Sequence, residues 1–340
     1  MHSLTLYIPG LLFPSSGLMQ DTLPSTPSLD SIFTYGRHTS LLPSTYTDAL
    51  ARLFNHKGSA RQDFPVAAIT RLVDEETDTD GIWMRADPVH LVADHAGLIL
   101  EDNSSFSLDQ HDALVLAADI ATIFSELDMQ LEAPTTQRWY LRMSKKPAIV
   151  TTPLHEVVGR DIDRFMPKGK DQAAWANIMN EVQMVFHNSE INLNRQRQGE
   201  KAVNSLWFWG CGKLPGASRC PWTRVFTDDV TCQGLARLSG IEGLELPDQP
   251  HDIIRQSSPQ DRILAVISFG LRHCQYGDLP GWQDFIVYLD QFLFGEITEG
   301  IRSGRISELN LLTEERKIYV DKKSFRKFWR RHKPLNRYAR

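Results

Sequence analysis

The sequence predicts an α/β fold, a sheet with helices packed on it, carrying an inserted α+β domain. Three observations lead there. Short apolar runs alternate with helical patterns from residue 203 onward. An isolated β-prone run, SLTLYI (3–8), opens the chain. The stretch 65–195 between them has a mixed pattern of its own. The expected domains are a core of 1–62 and 196–340 and an insert of 63–195.

Taken in order, SLTLYI stops at Pro9-Gly10, a pair that ends a strand. A Pro/Ser/Thr-rich stretch follows, and TPSLDSIFTYGR (26–37) reads as a short capped helix. WMRADPVHL (83–91) reads either as a turn built on Asp87-Pro88 or as a site grouping Arg85, Asp87 and His90. Ser107-Leu-Asp-Gln110 predicts a capping box, with Leu116, Ile120, Ile123 and Leu127 continuing at helical spacing. RWYLRM (138–143) and AIVTTP (148–153) read as strands. Trp175, Ile178, Met179, Val182, Val185 and Phe186 form a helical stripe. SLWFW (205–209) and RILAVISF (262–269) have the apolar character of buried strands. A helix is expected over 283–302, with Phe285, Leu289 and Phe292 inward.

Composition narrows the classes. Hydrophobic residues are 41% and charged residues 23% of 340, an ordinary globular mix with enough apolar material for a large core. A net charge of −5 gives no global case for nucleic acid. The four cysteines form no CxxC pair, which suits a reduced cytoplasmic protein. The N-terminus lacks a basic region and is broken by Pro9-Gly10, so no leader or membrane span is expected.

Several stretches carry polar residues suited to chemistry. In VNSLWFWGCGKLPG (203–216), Trp209, Gly210 and Gly212 read either as a buried strand and a bend, or as a turn offering bare N–H groups to an anion. In TTPLHEVVGRDI (151–162), His155 on a loop could carry a proton or ligate a metal, with Arg160 holding an anion; an ordinary surface histidine is the other reading. INLNRQRQG (191–199) reads as a polar loop offering Asn192, Asn194, Arg195 and Arg197 to phosphate or carboxylate, or as a solvated connector. Ser59 follows Gly58, yet no adjacent base plainly activates its hydroxyl. The tail Lys322–Arg340 mixes Phe325, Phe328 and Trp329 with cations. It either contacts a nucleic acid or protein partner, or docks as a helix.

In this order the pieces resemble the archaeal-type, cofactor-independent phosphoglycerate mutases of the alkaline phosphatase superfamily. TPSLDSIFTYGR looks like that superfamily's "TPNLD-x-L-x-x-x-G" helix, TPLHEVVGR is similar to "T-P-P-H-D-I-x-G-K", and FMPKGKD to "L-P-x-G-x-D". INLNRQRQGEKAVNSLWFWGCGKLP is close to "V-N-x-x-R-x-x-G-x-x-P-A-N-x-I-W-L-W-G-x-G-x-x-P", while WMRADPVHL matches its counterpart loosely. The chain is also similar to bacterial proteins described as RpfE-type regulatory proteins. The resemblance spans residues 1–240 and implies an alkaline-phosphatase-like sheet sandwiched by helices, which SLWFW would re-enter after the insert. It places His155, Arg85, Arg160, Asn192, Arg195 and Asn204 around a small anionic substrate. The family reaction implies two Mn or Zn ions held by Asp and His beside a Ser or Thr nucleophile. Here the first strand ends in Ile8-Pro9-Gly10-Leu11-Leu12 without a carboxylate. The nucleophile stretch would fall at Gly58-Ser59-Ala60 without its Asp and His. Asp284, Asp290 and Glu296 read as the polar face of a helix, leaving Asp87 and His90 as the remaining metal candidates. The expectation is a retained fold with the metal site lost, serving as a binding or regulatory protein for a small phosphorylated or carboxylated ligand. The alternative is an active enzyme with a rewired site, using His155, Asp87 and His90 around one metal or metal-free acid–base chemistry.

Overall fold

The computed structural model describes residues 2–12, 23–42, 44–56, 63–75, 80–95, 97–326, 330–331, 335 and 338. The chain runs β1 (His2–Tyr7), α1 (Pro27–Tyr35), β2 (Arg37–Ser40), α2 (Tyr46–Leu53), α3 (Val66–Asp74), β3 (Ile82–Asp94), β4 (Gly97–Glu101), α4 (Gln110–Ser125), β5 (Met129–Glu132), β6 (Tyr140–Met143) and β7 (Ile149–Val150). It continues through α5 (Leu154–Val157), β8 (Lys168–Gly169), α6 (Gln172–Asn188), α7 (Glu190–Arg197), β9 (Ser205–Gly212), β10 (Arg224–Thr227), α8 (Val230–Leu238) and β11 (Gly243–Leu244). It ends with α9 (Asp252–Arg255), β12 (Arg262–Val266), α10 (Leu271–Gln275), α11 (Leu279–Leu289), α12 (Gly295–Ser303), β13 (Ile306–Leu312) and β14 (Arg316–Asp321). Among the described residues no helix is long and apolar enough to cross a membrane.

Two compact units result, one of Met1–His56 with Ala217–Arg340, the other of Lys57–Gly216. The first holds a seven-stranded sheet in the order β11-β10-β12-β1-β13-β14-β2. Its first five strands are parallel and the last two pair antiparallel. Period-two alternation explains how helices cover it on both sides. Leu4 and Leu6 of β1 join a buried cluster with Leu29, Phe33, Trp282 and Phe285, while Tyr7 stacks on Tyr46 of α2 at 5.8 Å.

Helix α11 runs through a π-helical turn, Asp290–Phe294, into α12. That turn alters the phase of the apolar stripe. Leu293 and Phe294 face inward, and Phe292, expected inside, is 39% exposed. Asp290 is not on a polar face either. It is buried, and its Oδ1 accepts the Leu29 N–H at 2.7 Å, filling a vacancy in the first turn of α1.

The second unit is built on antiparallel strands ordered β4-β3-β6-β5, with β9 also paired to β3. SLWFW therefore does not re-enter the seven-stranded sheet; it belongs to this one, because its side chains Leu206, Trp207, Phe208 and Trp209 fill the cluster that α4 and α6 also bury. The unit closes at residue 216 rather than 195 for the same reason.

Residues 83–91 lie inside β3, and Asp87-Pro88 makes no turn. Strands β6 and β4 pair with residues 82–85 and 90–94, so the donor that Pro88 lacks falls where no second strand needs it. Helix α4 starts after Asp109, whose side chain accepts the Asp112 N–H, so the expected capping box at Ser107 is not used. This helix ends at Ser125 and leaves Leu127 exposed. Residues 190–197 are helix α7, not a loop; it is polar on most sides, and packing buries Asn192 and Arg195.

Candidate functional site

The long strand β3 carries the first cluster. Arg85 and Asp87 are two residues apart, so they share a face. Arg85 Nε and Nη2 donate to Asp87 Oδ1 at 2.8 and 2.7 Å, and Nη1 reaches Thr70 Oγ1 at 3.3 Å. The other Asp87 oxygen accepts Trp209 Nε1 at 2.7 Å. The Arg85 guanidinium also lies 5.3 Å from the Trp209 ring and 5.5 Å from the Tyr140 ring. Burial raises the Asp87 carboxyl, opposed by the Arg85 charge and the Trp209 hydrogen bond.

Gly210 stands beside Trp209 in β9, not in a loop. Between Trp83 and Arg85 the β3 register slips, so β9 carries an extra residue there, and Gly210 takes φ +67°. Its N–H donates to Thr151 Oγ1 at 3.2 Å, and the Thr151 hydroxyl in turn donates to Asp63. Gly212 is within the strand too, with a Cβ position only 2.7 Å from Pro65 Cβ. Neither glycine offers its backbone to a ligand in this arrangement.

His155 sits in the short helical turn α5 rather than on an open loop, edge-on to Trp209 with centroids 6.2 Å apart. Burial pushes its pKa down to about 4, so the imidazole is neutral at physiological pH. It can accept or donate a hydrogen bond, but it brings no positive charge to an anion. Arg160, further along the same segment, is exposed; its guanidinium lies 5.9 Å from the Phe165 ring and forms no ion pair among the described residues.

Asn192, Arg195 and Asn204 form a separate group. Asn192 bonds three backbone groups, Phe186 O, Val203 O and Val203 N, at 2.7 to 2.9 Å. Arg195 donates to Lys201 O at 2.9 Å and Ser107 O at 2.6 Å, and meets Glu200 at 3.2 Å. Asn204 clasps Leu91, accepting its N–H and donating to its carbonyl. These three hold the segment between α7 and β9 against α4, α6 and β3. Asp87 and His90 do not make a metal pair, since three residues along a strand put them on opposite faces and both Asp87 oxygens already have donors. Among the described residues no group of three or more His, Cys, Asp or Glu side chains could hold a metal ion. Ser59 lies outside the described residues.

The carboxyl ends of the parallel strands in the first unit carry a cluster that the motif reading passed over. Asp228 accepts the N–H groups of Ser268 and Phe269 at 2.7 to 3.1 Å. Asp229 caps α8 through Cys232 N at 2.7 Å, and Glu314 accepts the Gly10 N–H. Burial raises all three carboxyls, Asp229 to about 6 with help from the Asp228 charge. The available signal was the doublets Asp228-Asp229 and Glu314-Glu315, each placed just after an apolar run.

The described part of the C-terminal tail packs on its own unit. Tyr338 stacks on His38 at 5.1 Å, Phe325 meets Tyr35 edge-on, and Arg330 donates to the Thr34 and Gly36 carbonyls at the end of α1.

Residues 73–192, inside the second unit, match the family profile described as 2,3-bisphosphoglycerate-independent phosphoglycerate mutase. Over this stretch the chain is similar to phosphoglycerate mutases. An enzyme of that description from Methanosarcina mazei is 27% identical over 154 residues, 41% of this chain and 36% of that one. A probable mutase from Geobacter sulfurreducens is 24% identical over 141 residues, 41% of this chain and 35% of the other. The chain thus spans about a third of the length of these curated mutases. A solved protein from Pyrococcus horikoshii has the same fold, with TM-score 0.54 at 12% identity over 94% of this chain and 87% of that one. That likeness is one of fold, an α/β sheet with helices packed on it, the class that the sequence predicts.

Proposed function

We propose that this phosphoglycerate mutase-like chain does not run the two-metal reaction and acts as a binding or regulatory protein for a small phosphorylated or carboxylated ligand. The observation that carries the reading is the engagement of the carboxylates at the strand ends. Asp228, Asp229 and Glu314 each accept backbone N–H groups, and β1 ends without a carboxylate. Two ions held a few ångströms apart need several anionic and imidazole ligands converging on open positions. These groups do not fit that requirement, so no step is routed through a metal. Of the cationic side chains in the mutase-like motifs, Arg85 and Arg195 are committed inside their unit, whereas Arg160 is exposed. Arg160 is therefore the anion contact in this reading.

The test is metal content and phosphoglycerate mutase activity on one purified sample, with and without added Mn and Zn. No metal and no turnover is expected. Two metals per chain with turnover would overturn the reading. Titration with 3-phosphoglycerate should then give binding that Arg160→Ala weakens by about 1.5–3 kcal/mol, the scale of a charge-assisted hydrogen bond. Unchanged affinity would remove Arg160 from the site.

One observation favours a second reading, an enzyme with a rewired metal site. Besides burial, the Asp228 charge raises Asp229, and besides burial, Glu314 and Asp229 raise Tyr7. A single divalent ion at the Asp228-Asp229 pair, fewer ligands than the two-metal reaction needs, would appear in the same metal assay.

A further inference from the structure

Within the unit Lys57–Gly216 a cavity of about 500 Å³ lies between β3, β4, α6 and the segment entering β9. This volume falls in the range of small-molecule sites, which are mostly apolar with a few fixed polar groups. Leu91 and Phe186 supply a buried apolar floor, and Leu98 stands at the rim, 38% exposed. Of the polar side chains that line it, His90, Gln183 and Asn204 are half-buried and tethered, while His187, Gln196, Glu200 and Lys201 stand exposed at its edge.

The tethers decide what the cavity presents. His90 Nδ1 is 2.7 Å from the Ala202 carbonyl, which can only accept, so Nδ1 carries the proton. Nε2 is then the ring nitrogen left to the cavity, an acceptor whenever the ring carries a single proton, and it has no hydrogen bond among the described residues. Gln183 is held through Nε2 on Ser205 Oγ at 3.3 Å, which leaves its carbonyl oxygen as a second acceptor. Asn204 is engaged on both its oxygen and its nitrogen by Leu91. The charges bordering the cavity are paired off, Lys201 with Glu101 at 2.6 Å and Glu200 with Arg195 at 3.2 Å. Two acceptors over an apolar floor, with the Lys201 and Glu200 charges at the edge already paired, favour a ligand that donates hydrogen bonds and is itself uncharged.

We propose that this cavity binds a small neutral molecule with hydroxyl donors beside an apolar face, the chemistry shared by free sugars and nucleosides. The site is independent of the anion contact at Arg160. Lys201 and Arg195 beside the cavity already face carboxylates, so a ligand phosphate would compete with Glu101 or Glu200 for them and phosphorylation of the ligand opposes binding here.

Isothermal titration and ligand-observed NMR on the full chain test this with glucose, adenosine and their phosphorylated forms, glucose 6-phosphate and AMP. Saturable binding of one neutral probe is expected, tighter than its phosphate ester, and which probe binds identifies the source. Gln183→Leu and His90→Phe should each weaken it about three- to tenfold, the loss of one neutral hydrogen bond. His90→Phe also removes the Ala202 tether, so Gln183→Leu, which leaves that tether in place, is the decisive variant. Titration of Arg160→Ala with the same probe should show no change. Absence of binding by both neutral probes at millimolar concentration would overturn the proposal. So would equal affinity in Gln183→Leu, or preference for the phosphorylated form.

Discussion

Replacing Arg85 by Met tests whether the mutase-like "R-A-D" stretch of β3 supports the fold or contacts a ligand. Methionine keeps most of the apolar stem that packs near Tyr140 and Trp209, so the substitution mainly removes the charge and its donors. Asp87 is 0% exposed and would keep only the Trp209 N–H. Removing one partner of a buried pair typically costs about 3–5 kcal/mol, because the remaining charge has no compensation. Asp87 can limit that loss by taking a proton, at about 1.4 kcal/mol for each unit between its pKa and the pH. The destabilisation should therefore be larger at pH 7 than at pH 5.

Urea unfolding followed by tryptophan fluorescence reads this directly, since Trp209 reports on the cluster. The double variant Arg85→Met with Asp87→Leu should recover part of the loss, leaving about 1–3 kcal/mol for the unpaired Trp209 N–H. A single-variant loss below about 1 kcal/mol, together with weakened 3-phosphoglycerate binding, would refute the structural assignment. It would return Arg85 to the ligand.

Asn192→Ala should destabilise by about 2–4 kcal/mol in the same assay, since it strips partners from three buried backbone groups; a neutral result would mean water replaces the amide. Gly210→Ala should cost about 1–3 kcal/mol through its positive φ and a Cβ 3.0 Å from Val66 Cβ, seen as a lower melting temperature. His155 has a folded pKa of about 4, below its unfolded 6.5, so the unfolded chain binds the extra proton first. Its contribution is therefore complete above pH 6.5 and drains away as pH falls toward 4. His155→Gln should flatten that part of the stability profile, and an unchanged slope would place the titration elsewhere.

Local periodicity made much of the architecture readable. The stripe from Trp175 to Phe186 became α6, and SLTLYI and RILAVISF became neighbouring parallel strands. Strand partnership was less legible, because a short apolar run pairs equally well with any exposed edge until the rest of the core is present. SLWFW was assigned to the wrong sheet on that account. Helix α7 carries almost no apolar stripe, so its helical state depends on packing around Asn192 and Arg195 that no local pattern encodes. Pro88 suggested a turn, and only the gap between β6 and β4 explains its place in a strand. The acidic cluster at the strand ends is hard to read locally, because its doublets Asp228-Asp229 and Glu314-Glu315 follow β10 and β13, which lie far apart in sequence and meet only through the sheet.

The polar residues that carry the likeness to the mutases are also those with the most internal partners. Arg85, Asp87, Asn192, Arg195, Asn204 and Trp209 together hold β3, β9 and α7 in register. A buried polar network of this kind is costly to break one member at a time. A motif match over such residues therefore measures retained architecture and says little about reaction. Activity has to be sought among groups the fold has not already used, such as the Arg160 guanidinium, His90 Nε2 and the Gln183 carbonyl. None of these three can replace a metal ion in phosphoryl transfer, but each can hold a ligand.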